Sequence, residues 1–391
     1  MELSAILLLL GAALALGWGL GFSARQRRYQ ETSGDRDTTA VKHRLQLLFD
    51  NYSDDALDRF VHSLDVNPET LSLHISIGKH FRTEGEVEKA IFIHQNLMSH
   101  PELPKVQSEP VVYELAKDYK AAGLFDRAEA LLKQLVDSKA FGDKSKKLLL
   151  DVLELEKDWE QAVDTGLEID FRKHPEVRIR VAQYCCEMAE IAQSNGDHIE
   201  ARRNLGRALS TDKSCARAHL CLASLYIEQE RYRDAIQQVK LLVSLAPEYF
   251  TLAQPILLQC TELTNSFVRY REYLMQVYRE TGQVNVMLAV FDSYMSEGLE
   301  SEACDYLEQQ TVENPSLPAL EALLGSRIKT IEGKGDRIWS SLADVIRKIQ
   351  QERPRFCCTN CGFAGQQLHW MCPSCKSWET VKPFIEYDSG R

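Results

Sequence analysis

Small residues recur along this chain at a spacing of 34 residues, and this period constrains the fold more than any other feature. Alanine occupies one frame position in seven segments, at successive steps of 34, 38, 34, 39, 34 and 68 residues. Counting the last step as two, five steps of 34 keep one phase, which a chance bundle of helices would not do. A fixed period of this length is typical of proteins built from stacked structural repeats. The seven residues are Ala56, Ala90, Ala128, Ala162, Ala201, Ala235 and Ala303.

Residues 216–249 show what one repeat contains. Two amphipathic stretches flank a break near Glu230, and small Ala223 and Ala235 stand where two helices would cross. This pattern of two helices joined by a tight turn resembles a tetratricopeptide repeat. The missing member of the alanine series falls at Arg269, inside a degenerate segment that still has a helical pattern.

The repeats predict a mainly α fold. We expect about eight helix pairs over roughly residues 37–317, followed by capping helices through about Gln351, because one pair cannot bury its apolar face alone. The repeat domain as a whole is predicted over residues 41–351. The resemblance to tetratricopeptide repeats implies a right-handed solenoid with a concave groove for partner segments. Glycines are expected in the turns within pairs, at Gly85, Gly123, Gly196 and Gly298.

Residues 3–22 form an uncharged stretch at the N-terminal end of the chain. As a helix at 1.5 Å per residue it would span about 30 Å, the thickness of a bilayer core. A cleaved signal peptide is the alternative, but such peptides carry positive charge before the apolar stretch, where this chain has Glu2. Basic residues follow the stretch instead, which favours an uncleaved single-pass anchor with its C-terminal side in the cytoplasm. They are Arg25, Arg27 and Arg28.

The N-terminal part is therefore divided into a transmembrane anchor at residues 1–22 and a polar cytoplasmic tether at residues 23–40. Gly17 and Gly21 form one GxxxG pair, a spacing found where helices meet in membranes. Whether the chain forms a homo-oligomer through this contact is not decided by the sequence.

Charge and cysteine usage limit the function classes. The formal net charge is −11, which is a poor match to phosphate backbones, so we expect no nucleic-acid partner. The chain has 11 cysteines, of which seven lack regular spacing and indicate reduced thiols of a cytoplasmic protein rather than a disulfide framework. The adjacent pair Cys185 and Cys186 has two open interpretations, a redox pair or core packing.

The C-terminal part carries the clearest chemical motif. Cys358 and Cys361 form one CxxC, and Cys372 and Cys375 form a second, with ten residues between the two motifs. Two such turns supply four thiolates in a tetrahedron, the geometry that iron or zinc takes with sulfur. Cys357 is left out of the ligand set, because only its neighbour has the CxxC spacing.

Residues 352–391 are predicted to form a rubredoxin-like or zinc-ribbon domain around one metal ion. So short a segment cannot build an adequate core, and metal–sulfur bonds would supply its folding energy. Four protein thiolates leave no open coordination position, so a structural or docking role is favoured over one-electron transfer by iron, and no catalytic residue is predicted. Aromatic residues are expected to pack around the site or against the helices, namely Phe356, Phe363, Trp370, Trp378 and Phe384.

An N-terminal anchor, a helical-repeat array and a terminal four-cysteine domain together resemble the lipopolysaccharide assembly protein B family of Gram-negative bacteria. The resemblance covers essentially the whole chain. Its most specific parts are the segments Cys361–Pro383, Gly85–Met98 and Asp118–Leu135.

The resemblance implies more than the residues show. Members are inner-membrane proteins with most of the chain on the cytoplasmic side. They promote proteolysis of the LpxC deacetylase by the membrane protease FtsH, and a second membrane protein acts on them through the transmembrane helix. We therefore expect an adaptor and not an enzyme. The alternatives are a rubredoxin-like electron-transfer protein and a generic membrane-tethered platform. The partner-binding residues are unknown, and the family's metal ligands map onto Cys358, Cys361, Cys372 and Cys375.

Overall fold

The computed structural model describes residues 68–99, 105–328 and 336–384. Within these ranges the chain is almost entirely helical up to residue 351 and ends in a small antiparallel sheet. The described residues belong to two compact units that divide between Leu148 and Leu149. The mainly α fold with a small C-terminal β domain is confirmed.

The helices follow one another in segments of 9 to 20 residues, with short connections. Their bounds are α1 Pro68–Thr83, α2 Val87–Met98, α3 Lys105–Ala121, α4 Phe125–Lys133, α5 Gly142–Glu156, α6 Trp159–Leu167, α7 Pro175–Ser194, α8 His198–Thr211, α9 Ala216–Glu228, α10 Tyr232–Leu245, α11 Phe250–Thr264, α12 Phe267–Thr281, α13 Val284–Ser296, α14 Glu300–Glu313, α15 Leu317–Ile328 and α16 Asp336–Gln351. A turn of 3-10 helix at Pro247–Tyr249 precedes α11.

The predicted alanine frame marks the same position in six of the even-numbered helices. In α2, α4, α6, α8, α10 and α14 the alanine is the fourth helical residue, and its exposure is 0–1%. Because the side chain is small, the partner helix of the pair can approach closely at this point. In α12 the fourth residue is Tyr270, which is buried, whereas Arg269 is exposed. The repeat frame is shifted by one residue in α12, so the prediction that Arg269 occupies the position of the frame alanine was wrong.

The turn inside each helix pair has one recurring backbone conformation. The residue two positions before the second helix has positive φ in every pair from α1–α2 to α13–α14. Glycine holds this position in four pairs, as predicted, because it reaches the left-handed region without a steric cost. In the other three pairs the residue is Lys157, Glu230 or Asn265, with φ of 59°, 58° and 48°.

The first unit, residues 68–148, is held by apolar contacts and by a buried group of charges. Ile77, Ala90 and Ile93 pack between α1 and α2. Arg82 of α1 donates hydrogen bonds to two acidic residues of α3, Glu114 and Asp118, each at 2.6 Å. Since Arg82 and both carboxylates are largely buried, this contact fixes the first pair against the next helix.

The second unit, residues 149–384, contains the largest described core. It runs through α9–α15 and includes Phe250, Leu274 and Met287, all fully buried. The C-terminal sheet has the strand order β2–β1–β3, with both pairings antiparallel. Its strands are β1 Phe356–Cys358, β2 Ala364–Gly365 and β3 Val381–Pro383.

Several predicted features lie outside the described residues: the anchor at residues 1–22, the tether at residues 23–40, and the first helix pair with Ala56. Across residues 68–99, 105–328 and 336–384, no helix combines the length and the apolar character needed to cross a membrane.

Candidate metal centre

The four predicted cysteines meet in one cluster at the C-terminal sheet. The sulfur atoms of Cys358, Cys361, Cys372 and Cys375 all lie within 4.8 Å of one another. Cys358 Sγ is 3.8 Å from Cys375 Sγ, and Cys361 Sγ is 3.7 Å from Cys372 Sγ. Each close pair thus joins one CxxC turn to the other.

Two matching turns place these sulfurs. Each CxxC is followed directly by a residue with positive φ, Gly362 at 75° and Lys376 at 58°. The N–H of Gly362 donates to the carbonyl of Cys358, and the N–H of Lys376 donates to the carbonyl of Cys372. The second turn therefore adopts the conformation of the first although it lacks the glycine that usually permits it.

Hydrogen bonds and burial act in opposite directions on the thiols. The side chains of Ser377 and Asn360 hydrogen-bond to Cys375 and lower its pKa to about 5. Burial acts to raise the pKa of Cys358, but its hydrogen bonds with the Thr380 hydroxyl and with backbone N–H groups outweigh it, so this pKa is lowered. Burial raises the pKa of Cys372 to about 11. The thiolate form is therefore favoured at Cys375, whereas deprotonation of Cys372 would be assisted by a bound cation.

The donor set fits one tetrahedral metal ion. Metal–sulfur bonds of about 2.3 Å in a tetrahedron place the sulfurs about 3.8 Å apart, which matches the 3.8 and 3.7 Å of the two close pairs. Iron and zinc both accept such a site. Cys357 does not join the cluster, because its sulfur faces the carbonyl of Cys358 at 3.9 Å. When bound, the metal would cross-link the two turns and stabilise the small domain.

The small metal domain packs against helices of the second unit. The sequence had not shown whether the two parts are in contact. The indole N–H of Trp378 donates to Glu154 Oε2 in α5 at 2.9 Å. The same oxygen accepts hydrogen bonds from the Tyr184 hydroxyl at 2.6 Å and from Arg180 at 3.1 Å, both in α7. The ring of Trp378 meets that of Tyr184 edge-on at 6.0 Å. One carboxylate oxygen thus joins three segments that are far apart in sequence.

Glu379 makes the next contact. Its Oε1 accepts from the backbone N–H of Ala216 at 3.0 Å, where α9 begins, and its Oε2 accepts from Gln183 in α7 at 3.3 Å. Burial raises the pKa of Glu379 to about 6, with a further increase from nearby Asp212, and the bond from Ala216 opposes the shift. A free N–H at a helix start is a natural partner for a carboxylate.

A third contact involves the start of α11. Lys382 Nζ donates to Glu248 Oε1 at 2.6 Å and lies over the ring of Tyr249. Trp370 stands 6.1 Å from the same ring, and Leu252 packs against the core of the metal domain. The predicted packing of Trp370 and Trp378 is confirmed. Phe356 and Phe363 pack in the domain's own core, and Phe384 is 46% exposed.

Buried thiols in the helix pairs form a separate group. Cys186 Sγ is 3.8 Å from Cys215 Sγ, and both side chains are fully buried. The hydrogen bond to Cys215 and burial raise the pKa of Cys186, and burial raises that of Cys185 to about 11. Protonated, buried thiols are poor nucleophiles, so the packing interpretation of Cys185 and Cys186 is the one the geometry supports.

Comparison with known proteins agrees with this architecture. A family described as "Rubredoxin metal binding domain" matches residues 356–383. Families described as "Tetratricopeptide repeat" match residues 113–176 and 192–255. The four-cysteine site is therefore a rubredoxin-like metal domain that follows tetratricopeptide repeats.

Two proteins of known name are similar to this chain over nearly its whole length. Lipopolysaccharide assembly protein B of Escherichia coli K12 is 28% identical over 389 residues, which cover 99% of each chain. The protein of the same name from Haemophilus influenzae is 29% identical over 388 residues, or 97% of each chain. This chain is similar to lipopolysaccharide assembly protein B over nearly its whole length. Among solved structures, MamA protein aligns with 47% of this chain at 18% identity and a TM-score of 0.32, which is too low for any comparison of function.

Similarity to lipopolysaccharide assembly protein B extends through both the repeats and the metal domain, because the alignments reach nearly to both ends of each protein. The ligand cysteines were found from their spacing alone. The docking residues Glu154 and Gln183 were not, because a single polar residue on a helix carries no signal of a partner 224 or 196 residues away in sequence.

Proposed function

We propose that this chain is a non-enzymatic membrane adaptor in lipopolysaccharide assembly, which promotes proteolysis of LpxC by FtsH. The observation that carries the proposal is the end-to-end similarity to lipopolysaccharide assembly protein B. The helical repeats support an interaction protein, because stacked helix pairs offer extended surfaces for other proteins.

The anchor is part of the proposal. It would hold the chain on the cytoplasmic side of the bacterial inner membrane, where the local concentration of a membrane protease is high. A second membrane protein contacting the transmembrane helix would then control access to that protease.

The metal domain has a structural role in this proposal. Its four thiolates leave no open coordination position, and its contacts through Trp378, Glu379 and Lys382 hold α5, α7, α9 and the start of α11 together. Metal loss would free these contacts and alter the surface that the repeats present to partners.

The test compares two cysteine variants in the source bacterium. Cys372→Ser/Cys375→Ser removes two clustered sulfurs, and Cys357→Ser, the matched control, removes a nearby thiol outside the cluster. We expect LpxC to accumulate in the double variant and stay at the wild-type level in the control. Crosslinking in native membranes should recover FtsH and LpxC with the wild-type chain.

The abundance of the chain itself is measured by immunoblot in every strain, so that loss of the protein is separated from loss of its activity. Unchanged LpxC in a strain that lacks the whole chain would rule out the proteolytic adaptor and leave the membrane-tethered platform.

One observation favours a second candidate, electron transfer by bound iron. The match of residues 356–383 to a rubredoxin metal binding domain is that observation. An electron carrier requires iron, whereas an adaptor requires only a folded domain. Cells in which the chain is loaded with zinc should therefore degrade LpxC normally if the adaptor proposal holds, and a strict requirement for iron would support the electron carrier.

A further inference from the structure

A cleft of about 340 Å³ lies on the second unit between α10, α11 and α12. Its charged lining residues are Arg233 and Lys240 from α10 and Arg269 from α12, and none of the described residues that line it is acidic. The metal domain contacts other surfaces, on α5, α7, α9 and the start of α11. The cleft is therefore a separate feature of this unit.

Two carboxylates lie near the walls of the cleft, because Asp292 acts on Tyr270 and Glu280 acts on Tyr273, but they do not pair with its cations. Among the residues that the structure describes, no carboxylate forms an ion pair with Arg233, Lys240 or Arg269. Asp234, the acidic neighbour in sequence, pairs with Arg231 at 2.8 Å instead. This concentration of positive charge contrasts with a formal net charge of −11 for the whole chain. Such a cleft attracts anions by focusing the local field.

The walls supply further hydrogen-bond donors. Tyr270 is buried and Tyr273 half-buried, and burial raises the pKa of each hydroxyl to about 12, so both stay protonated near neutral pH. Lys240 Nζ stands 4.5 Å from the centre of the Tyr273 ring, which holds the ammonium group at the wall. Ser266 lies where α12 begins, and its hydroxyl contacts Thr264 at 2.8 Å without capping the helix.

We propose that this cleft binds the phosphate group of a small phosphorylated ligand. Arg233 and Arg269 would contact the phosphate oxygens, because a guanidinium matches an oxyanion with two parallel hydrogen bonds. Lys240 would add charge, and the tyrosine rings would pack against the rest of the ligand. The proposal is independent of the proteolytic adaptor function and does not require it.

Size favours a small ligand over an acidic peptide. Pockets for small molecules begin at about 300 Å³, and this cleft has about 340 Å³. A peptide lying along the repeats would need cations distributed over several helix pairs, whereas these three cations lie on two helices. Two sources of ligand share the same chemistry, a soluble phosphate monoester and a lipid headgroup.

The test uses the full chain in phosphatidylcholine nanodiscs, with glycerol 3-phosphate as the probe in a calorimetric titration. The variant is Arg233→Ala/Arg269→Ala. The matched control is Arg202→Ala/Arg279→Ala, which removes two exposed arginines of the same unit that do not line the cleft. Both variants change the net charge equally, so a general charge effect is the same in each.

We expect saturable binding at one site per chain, weakened at least about tenfold in the cleft variant and unchanged in the control. Replacing part of the phosphatidylcholine with phosphatidate separates the two sources. A reduced apparent affinity for the probe would assign the cleft to a lipid headgroup, and an unchanged affinity to a soluble ligand.

Two results would overturn the proposal. One is the absence of saturable binding of glycerol 3-phosphate and of inorganic pyrophosphate to the wild-type chain. The other is equal weakening in the cleft variant and the control, which would show non-specific charge attraction. If an acidic peptide binds but neither phosphate probe does, the proposal is also overturned.

Discussion

The indole of Trp378 donates a hydrogen bond to the carboxylate of Glu154, 2.9 Å away in space and 224 residues away in sequence. The acceptor oxygen is also bound by Tyr184 and Arg180, so the carboxylate keeps partners when the indole is removed. This arrangement allows the docking contact to be tested without leaving a buried charge unpaired.

Trp378→Phe removes the N–H donor and keeps an aromatic ring. A hydrogen bond to a charged group contributes about 1.5–3 kcal/mol, so we expect the free energy of unfolding of the second unit to fall by about 1–3 kcal/mol. Denaturant unfolding followed by circular dichroism measures the change. Trp339→Phe is the control, because Trp339 is 44% exposed and its loss should have little effect. Equal stability of the two variants would show that the Trp378 contact adds nothing.

Metal removal should release the docked domain from the helices. Because metal–sulfur bonds fold the domain, a chelator is expected to unfold residues 356–383 and break the bond from the Ala216 N–H to Glu379. Hydrogen exchange at the Ala216 amide should then accelerate. The amide of Ala235, which donates to Arg231 within its own helix pair, is the internal reference and should stay protected. Continued protection of Ala216 after metal removal would contradict the coupling.

Glu379 gives the docked interface a pH dependence. Its folded-state pKa is raised from 4.5 to about 6, so the folded chain binds this proton more tightly than the unfolded chain. The contribution of Glu379 to the free energy of unfolding is therefore largest at low pH, and it is lost as pH rises from about 4.5 through 6. Between pH 5 and 7 the loss amounts to about 1 kcal/mol.

The measurement is the difference in unfolding free energy between wild type and Glu379→Gln at each pH, because other groups titrate in both proteins. The amide introduced by this substitution does not titrate, so the wild-type value should fall relative to the variant as pH rises. Metal content is checked at every pH. A constant difference from pH 5 to 7 would mean that the carboxyl has its ordinary pKa.

The recurring turn predicts a stabilising substitution. Glu230 is exposed and has φ of 58°, a conformation that costs a non-glycine residue about 1 kcal/mol. Glu230→Gly should raise the unfolding free energy by roughly this amount. Gly196→Ala is the converse, because no atom lies within 4 Å of the added Cβ and only the backbone strain acts, so it should destabilise. Thermal unfolding of both variants decides whether the turn conformation matters.

The sequence predicted the parts of the fold that repeat. Ala90, Ala128 and Ala235 were placed correctly because a buried helix crossing selects a small residue at a constant interval. Arg269 was misplaced by one residue, because a period of 34 cannot show how one loop differs from the others. Lys157 and Glu230 share the glycine turn conformation, yet neither residue type indicates positive φ.

The metal ligands could also be predicted, since CxxC spacing reflects a local turn that needs no distant partner. The contacts that attach the domain could not. Glu379 and Lys382 are ordinary charged residues in sequence, and their partners Ala216 and Glu248 are chosen only when distant segments pack together.

The long separation between Trp378 and Glu154 also sets an order of events during translation. Glu154 leaves the ribosome 224 residues before its donor, which at bacterial elongation rates is about 10–45 s. During this interval the acceptor face of α5 and α7 is uncovered, and it is closed only when residues 356–383 have emerged and bound their metal. Chains that lack residues 356–383 would expose this face, so the same surface of the protein is covered only after the metal domain has been synthesised and the ion has been supplied.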